Sequence, residues 1–362
     1  MDKQSLNWES MLIDPTEHRE ILFKLYCDIF QNDTITLEQF IWKYEENPFG
    51  KMKVWSAWNV DSGQMIAAFS AYKRQFVYKS KVVDVYQQAD AMVLAECRGH
   101  GVFKHLINKM TEHVRQEGAL FHFGYTNNQS GPIMKKYSIV REIHLSQVFV
   151  YMNGFETAAN ILFKSGGFFA KLSSALGTPL IRSWNTIRGH NKIGPVLLLP
   201  LTNFNNLSES WSFEVAKFHQ FFPHRSRAFM QWRAIDIPKV IKKDILNFWC
   251  LRNGKKIGYL TVYCDHNRNV LKLIDHLCTN PVENMHTCLK ALRQYAIQEN
   301  YDAITTNIAS QFYQKKMKQA GFMKIKSVRC TIFFLKPDVL PQAELEGDFW
   351  MQFPIDRDAS RY

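Results

Sequence analysis

The sequence predicts a mixed α/β fold, α+β in the make-up of its sheets, laid down twice along 362 residues. Three observations carry this. Residues 53–94 hold three runs rich in β-branched and aromatic side chains, parted by the turn residues Asp61-Ser62-Gly63 and Lys79-Ser80. A helical stripe follows at Val102, Phe103, Leu106, Ile107, Met110 and Val114. After residue 211 a similar succession returns, which points to duplication over about 100 residues. Strand-forming runs between turn signals mark strands, and spacings of three and four mark a helix. With 46% hydrophobic residues the chain can fill two cores.

The elements follow in order. Asp14-Pro15 announces the first helix, a cap residue followed by proline at the first helical position, with Ile21, Leu22, Leu25 and Ile29 as its stripe. Antiparallel strands are expected at 53–60, 65–78 and 81–94. Gly118 stops the next helix, ALFHFGY (119–125) is a strand, a short helical segment lies around 130–137, and LSQVFVYM (145–152) closes the unit. Residues 155–210 mix glycine, serine, bulky apolar residues and basic charges. They are expected to be a connector with a basic amphipathic helix, either packed between domains or set against anionic lipid or a lipid-linked substrate.

The second unit has expected strands at 247–253, 257–264, 270–277, 301–307 and 327–335. One helix carries Leu289, Leu292 and Ala296, and another spans 310–319. Two segments anchor the comparison: FIWKYEENP, with Trp42, a cation and Pro48, and MQWRAIDIP, with Trp232, Arg233 and Pro238. Ser130 matches Ser310 further on. The expected organisation is therefore a first domain over 1–154, a connector over 155–210 and a second domain over 211–362.

A formal charge of +12 favours anionic partners. No zinc finger or aromatic RNA-binding signature is present, so nucleic acid is not expected as a partner. Seven scattered cysteines without a C-x-x-C pair read as reduced thiols of a cytoplasmic protein, with no metal site. No run is long enough to cross a membrane as a helix, and the first residues lack the features of a signal peptide.

The stretch AECRGHGVFKHLINKM (95–110) carries the chemistry. A helix N-terminus offers N–H groups without intrahelical acceptors and the positive end of the macrodipole. Glycines at 99 and 101 allow an anion close to the backbone, and Arg98 adds a fork of donors. The same glycines also fit an ordinary strand-to-helix turn. Neither a Walker loop nor a dinucleotide fingerprint is present.

These residues resemble the GNAT superfamily of acyl-CoA-dependent N-acyltransferases, whose signature is Q/R-x-x-G-x-G/A. Arg98 and Gly101 match it, and Phe103 departs from it. RGHGVF and FGYTNNQSGPIMKKYSIV are similar to members from bacterial surface-polysaccharide gene clusters, and the resemblance extends loosely over 211–357. It implies two tandem GNAT-like domains, each a mostly antiparallel mixed sheet flanked by helices. It implies a coenzyme A thioester, most simply acetyl-CoA, held by Val93 and Leu94 at the pantetheine. Arg98, Gly99, His100, Gly101, Val102 and Phe103 would hold the pyrophosphate, with Asn127 and Ser130 at the family's Asn and Ser positions.

A small-molecule amine would attack the thioester directly, with an amino sugar of surface-polysaccharide synthesis as one acceptor. The base candidates are Asp90 and Glu96, and the acid candidate is Tyr137, since Met134 stands at the family's tyrosine position. His100 is expected to face solvent and His122 to be a satisfied core residue or a proton shuttle. The second copy lacks the loop, because CTNPVENMHTC has neither glycine nor arginine. Two other functions stay open: a FemAB-like aminoacyl transferase, and a non-catalytic module that binds a nucleotide or a partner.

Overall fold

A computed structural model describes residues 6–30, 35–124, 140–154, 177–181, 183, 196–219, 221–242, 244–308 and 310–334. Its first strands are β1 (Trp8–Ile13), β2 (Lys53–Asn59), β3 (Met65–Tyr78), β4 (Lys81–Val93), β5 (Phe121–Gly124) and β6 (Val140–Met152). The rest are β7 (Val196–Pro200), β8 (Phe221–Pro223), β9 (Ile245–Arg252), β10 (Lys255–Asp265), β11 (Val270–Cys278), β12 (Ala303–Ile308) and β13 (Met323–Phe334). Helices α1 (Arg19–Phe30), α2 (Leu37–Tyr44) and α3 (Val102–Gln116) belong with the early strands. Helices α4 (Ser210–Ala216), α5 (Arg227–Ala234), α6 (Pro281–Gln298) and α7 (Gln311–Gln319) belong with the later ones.

Two mixed sheets are joined edge to edge in the order β1-β2-β3-β4-β5-β13-β6-β12-β11-β10-β9-β7, with β8 on β3. In each, one parallel pair, β4 with β5 or β11 with β12, ends an otherwise antiparallel run. The junction is an exchange of strands. β6 does not return to β5; it pairs with β12 from Ala303↔Met152 to Ile308↔Gln147. The edge of β5 is taken instead by β13, from Thr331↔Gly124 to Phe334↔Phe121, and β13 and β6 pair with each other. The expectation that 145–152 closes the first sheet is corrected here, because an alternating pattern fixes a strand's faces but not which edge receives it.

The early sheet is covered on both faces. Ala67, Phe69 and Ala71 pack with Val102, Leu106, Ile107 and Met110 of α3. Ala68 and Tyr72 face the other way, onto Leu22 and Leu25 of α1 and Phe40 and Tyr44 of α2. Among the elements before residue 53, β1 and α2 were not expected. β1 is an edge strand with polar Glu9 and Ser10, so its apolar signal is diluted. α2 has eight residues, too few for a periodic stripe, but Thr36 and Gln39 form a reciprocal capping box at its start. α1 begins at Arg19 rather than beside Pro15, because the Asp14 carboxylate accepts the Thr16 N–H at 2.7 Å in a preceding turn. β7 lies in the stretch expected to be connector.

The anchoring tryptophans meet across the seam. Trp42 Nε1 donates to the Trp232 carbonyl at 3.1 Å, and Trp232 Nε1 donates to the Trp42 carbonyl at 3.2 Å. Their rings stack with centroids 5.0 Å apart, and the Arg233 guanidinium lies over both. Such reciprocity is the mark of a two-fold contact, here within one chain. Trp232→Ala should cost about 3–5 kcal/mol of unfolding free energy. Trp42→Ala should cost a similar amount and the double variant less than their sum. Urea denaturation reads all three, and strict additivity would contradict the reciprocal contact.

Candidate active site

β4 carries the site's backbone. Its ladder to β3 slips once: Phe69 faces Ala91 and Ala71 faces Gln88, so Ser70 stands opposite both Ala89 and Asp90. This bulge changes which residues point to α3, from Tyr86 and Gln88 before it to Ala91 and Val93 after it. The Leu94 amide donates to the Ile66 carbonyl at 3.0 Å, which makes Ala67↔Val93 a pair without mutual hydrogen bonds. The Val93 N–H and C=O therefore face away from β3. On that side β5 pairs only at Tyr86↔His122 and Gln87↔Phe123, and beyond these no described strand pairs with β4. At Gly124, where β5 ends, a Cβ would come within 2.7 Å of the Gln88 side chain.

Residues 94–101 link β4 to α3. A short 3-10 turn, Ala95–Cys97, turns the chain, and the Arg98 Nε then reaches back to the Val93 carbonyl at 3.2 Å. Gly99 and Gly101 have φ of 87° and 82°, a left-handed conformation that favours glycine. A Cβ at Gly101 would meet nothing within 4 Å, so the space above the loop is open. α3 starts at Val102 with no acidic residue in its first turn, and the amides of Val102 and Phe103 have no intrahelical acceptor. Phe103, the departure from the signature, turns its ring edge-on to Phe69 at 5.8 Å and packs against the core beneath. An anion would thus meet a left-handed glycine pair, a helix start and a guanidinium together.

The other expected residues fall as follows. Val93 ends the strand and Leu94 follows it, but only the Val93 amide faces the cleft. Asp90 is buried on the α2 face, across the sheet from α3. Lys43 Nζ approaches its two oxygens at 3.0 and 2.7 Å, and the Tyr44 hydroxyl donates to it at 2.6 Å. Burial and the Asp90 charge push the Tyr44 phenol well above its usual range. Glu96 is exposed beside the loop and His100 is half-buried within it. Tyr137, Asn127 and Ser130 lie outside the described residues. His122 is a buried residue with both ring nitrogens engaged, by Gln88 at 2.8 Å and Thr111 at 3.3 Å, and burial pushes it down to about 3. Among the described residues no group of His, Cys, Asp and Glu could hold a metal ion.

The sequence reading missed Ser70, Lys43, Tyr44 and Ile66. One signal for the first three was available: Asp90 recurs as Asp275. That carboxylate sits at a matching bulge, where Thr261 faces Asp275 and Val262 faces Leu273. Arg225 bonds it through Nε and Nη2, and the Tyr259 hydroxyl donates to it at 2.6 Å.

The second half closes what the first leaves open. β11 and β12 pair only from Val270 to Lys272 and then diverge. Thr306 Oγ1 bridges the gap to the Leu273 carbonyl at 2.8 Å. Only Thr279 and Asn280 link β11 to α6, against eight residues in the first half. The Glu214 carboxylate accepts from Thr279 Oγ1 at 2.8 Å and from the Asn280 N–H at 2.9 Å. A side-chain anion thus sits where an external one would bind. A groove of about 360 Å³ at the seam, lined by Leu37, Ile41, Trp42 and Pro238 with Glu38, Glu46 and Asp236, shares no residue with the glycine loop.

The chain is similar to known proteins in part of its sequence and in its fold. Residues 15–138 match the family profile described as Acetyltransferase (GNAT) domain. No curated protein sequence matches the chain. A GCN5-related N-acetyltransferase from Anabaena variabilis is similar in structure, with a TM-score of 0.62 at 10% identity over 90% of this chain and 73% of its own. An Enterococcus faecalis protein described as a probable N-acyltransferase has a TM-score of 0.62 at 10% identity, over 90% and 71%. The Saccharomyces cerevisiae N-myristoyltransferase with bound myristoyl-CoA has a TM-score of 0.58 at 12% identity, over 91% and 79%. Residues 15–138 are thus similar to a GNAT acetyltransferase domain, and the fold as a whole is shared with these proteins. No helix among the described residues is long and apolar enough to cross a membrane.

Two outcomes follow from the side chains. An unfolded histidine titrates near 6.5, whereas folded His122 does so at about 3. The unfolded chain alone takes up this proton, so the stability that neutral His122 provides is present above about pH 6.5 and is lost as pH falls towards 3. Urea midpoints should decline from pH 7 to 4.5, and less steeply in His122→Asn. Glu214→Ala should cost about 1–2 kcal/mol, the scale of a lost helix cap, while leaving acyl-CoA binding unchanged by calorimetry.

Proposed function

We propose that the chain is an acyl-CoA-dependent N-acyltransferase with one working site, in the half that carries the glycine loop. The observation that carries this is the union of an outward-facing Val93 amide with the loop of Arg98, Gly99 and Gly101 ahead of α3. We take acetyl-CoA as the donor and a primary amine as the acceptor, with an amino sugar of surface-polysaccharide synthesis as the first acceptor to test. Residues 1–154 form the working unit and 211–362 the closed one, each completed by the other's last strand.

Bound acyl-CoA supplies an electrophilic thioester carbonyl. The chain's part is to hold and to polarise. Arg98 and the amides of Gly99, His100, Gly101, Val102 and Phe103 take the diphosphate, whose charge the start of α3 favours. The Val93 N–H faces the cleft where the carbonyl oxygen gathers charge, and a fixed donor there lowers the barrier without reorganising. The amine must lose a proton, and Glu96 is the candidate base that stands beside the loop. Asp90 is occupied by Lys43 and Tyr44. Tyr137 stays the nominee for protonating the leaving thiolate.

Calorimetry tests the reading. One acetyl-CoA per chain is expected, with binding abolished by Arg98→Glu. Two molecules per chain, or binding indifferent to that charge reversal, would sink it. Myristoyl-CoA in the same titration decides the acyl length, and an amine panel separates a transferase from a binding module.

A further inference from the structure

We propose that Ser70 is a positioning residue, whose hydroxyl clamps the bulge of β4 and so keeps the Val93 amide turned to the thioester. The proposal rests on the acyltransferase reading above. Ser70 Oγ accepts the Asp90 N–H at 3.0 Å and donates to the Asp90 carbonyl at 3.2 Å. Both backbone groups of Asp90 thus meet one side chain. That matters because an extra residue in a strand leaves groups that would otherwise be buried without partners. On the same face Lys43 and Tyr44 hold the Asp90 carboxylate, so the bulge is fixed through backbone and side chain alike.

The bulge has a chemical consequence. Amides alternate between the two edges of a strand, and a slip of one residue turns each to the other side. With the bulge at Ala89-Asp90, Leu94 donates to β3 and Val93 faces the cleft. If it migrated beyond Val93, the Val93 amide would be spent on β3 and the cleft would lose its donor.

The second half supplies an internal control. Its bulge has the same Asp, cation and tyrosine, in Asp275, Arg225 and Tyr259. The residue in the place of Ser70 is Thr261, which is fully buried, and its hydroxyl has no hydrogen-bond partner. A carboxylate anchor is common to both bulges. The hydroxyl clamp occurs only in the half with the open loop, so the clamp goes with the site rather than with the fold.

The experiment is isotope-edited infrared spectroscopy of acetyl-CoA labelled with carbon-13 at the carbonyl, bound to the full chain, with affinity measured by calorimetry. A donor on the carbonyl oxygen lowers its stretching frequency. Ser70→Ala should bind within about threefold of the wild type but lose about half or more of that shift, because the diphosphate grip persists while the carbonyl donor is misplaced. Thr261→Ala should leave the shift intact. If the alanine variant does not fold, Ser70→Cys keeps the volume, weakens both hydrogen bonds and is read in the same way. A full shift in the folded Ser70 variant, or an equal loss in Thr261→Ala, overturns the proposal while leaving the acyltransferase reading standing. Absence of acetyl-CoA binding by the wild type overturns both.

Discussion

When parallel strands stop pairing, their backbone N–H and C=O groups must find other partners, and the chain meets this demand differently in its two halves. β11 leaves β12 after Lys272, and the groups near the gap are met internally by Thr306, Glu214 and a two-residue link. β4 runs on past its last pair with β5 at Gln87. Its outward edge ends at Val93, with the loop of Arg98, Gly99 and Gly101 just beyond. One half spends its polar groups on itself, and the other leaves them facing an open cleft.

The glycine loop and the stripe of α3 were legible because local chemistry decides them. Left-handed backbone favours glycine whatever surrounds it, and a helix with a buried face repeats its apolar residues wherever it packs. The three strands between 53 and 94 were legible for the same reason, since turn residues bound each. What escaped was non-local. Asp90 reads as a surface carboxylate until Lys43 and Tyr44 are brought beneath it by a helix of eight residues. Ser70 is an unremarkable serine until the ladder slips at its position. No pattern within 119–125 or 145–152 says that these strands accept different neighbours.

The expectation of a duplication rested on two tryptophans and their prolines, and the fold gives the reason those residues stand out. Each indole caps the other's helix end through a carbonyl, so neither ring can change without leaving a buried acceptor on its counterpart without that donor. The cations beside them divided their tasks: Lys43 turned inward to Asp90, while Arg233 covers the paired rings. Similar sequence at these points therefore reflects a shared contact and not a shared chemistry.

The exchange of β6 and β13 also governs the order in which the molecule can be assembled during synthesis. As the chain emerges, the edge of β5 has no partner until the last strand arrives some 200 residues later, while β6 waits for β12. A bare edge of this kind attracts other strands. The nascent early half must remain incomplete until β13 has been made, so a ribosome that stalls before it releases a chain with an adhesive border.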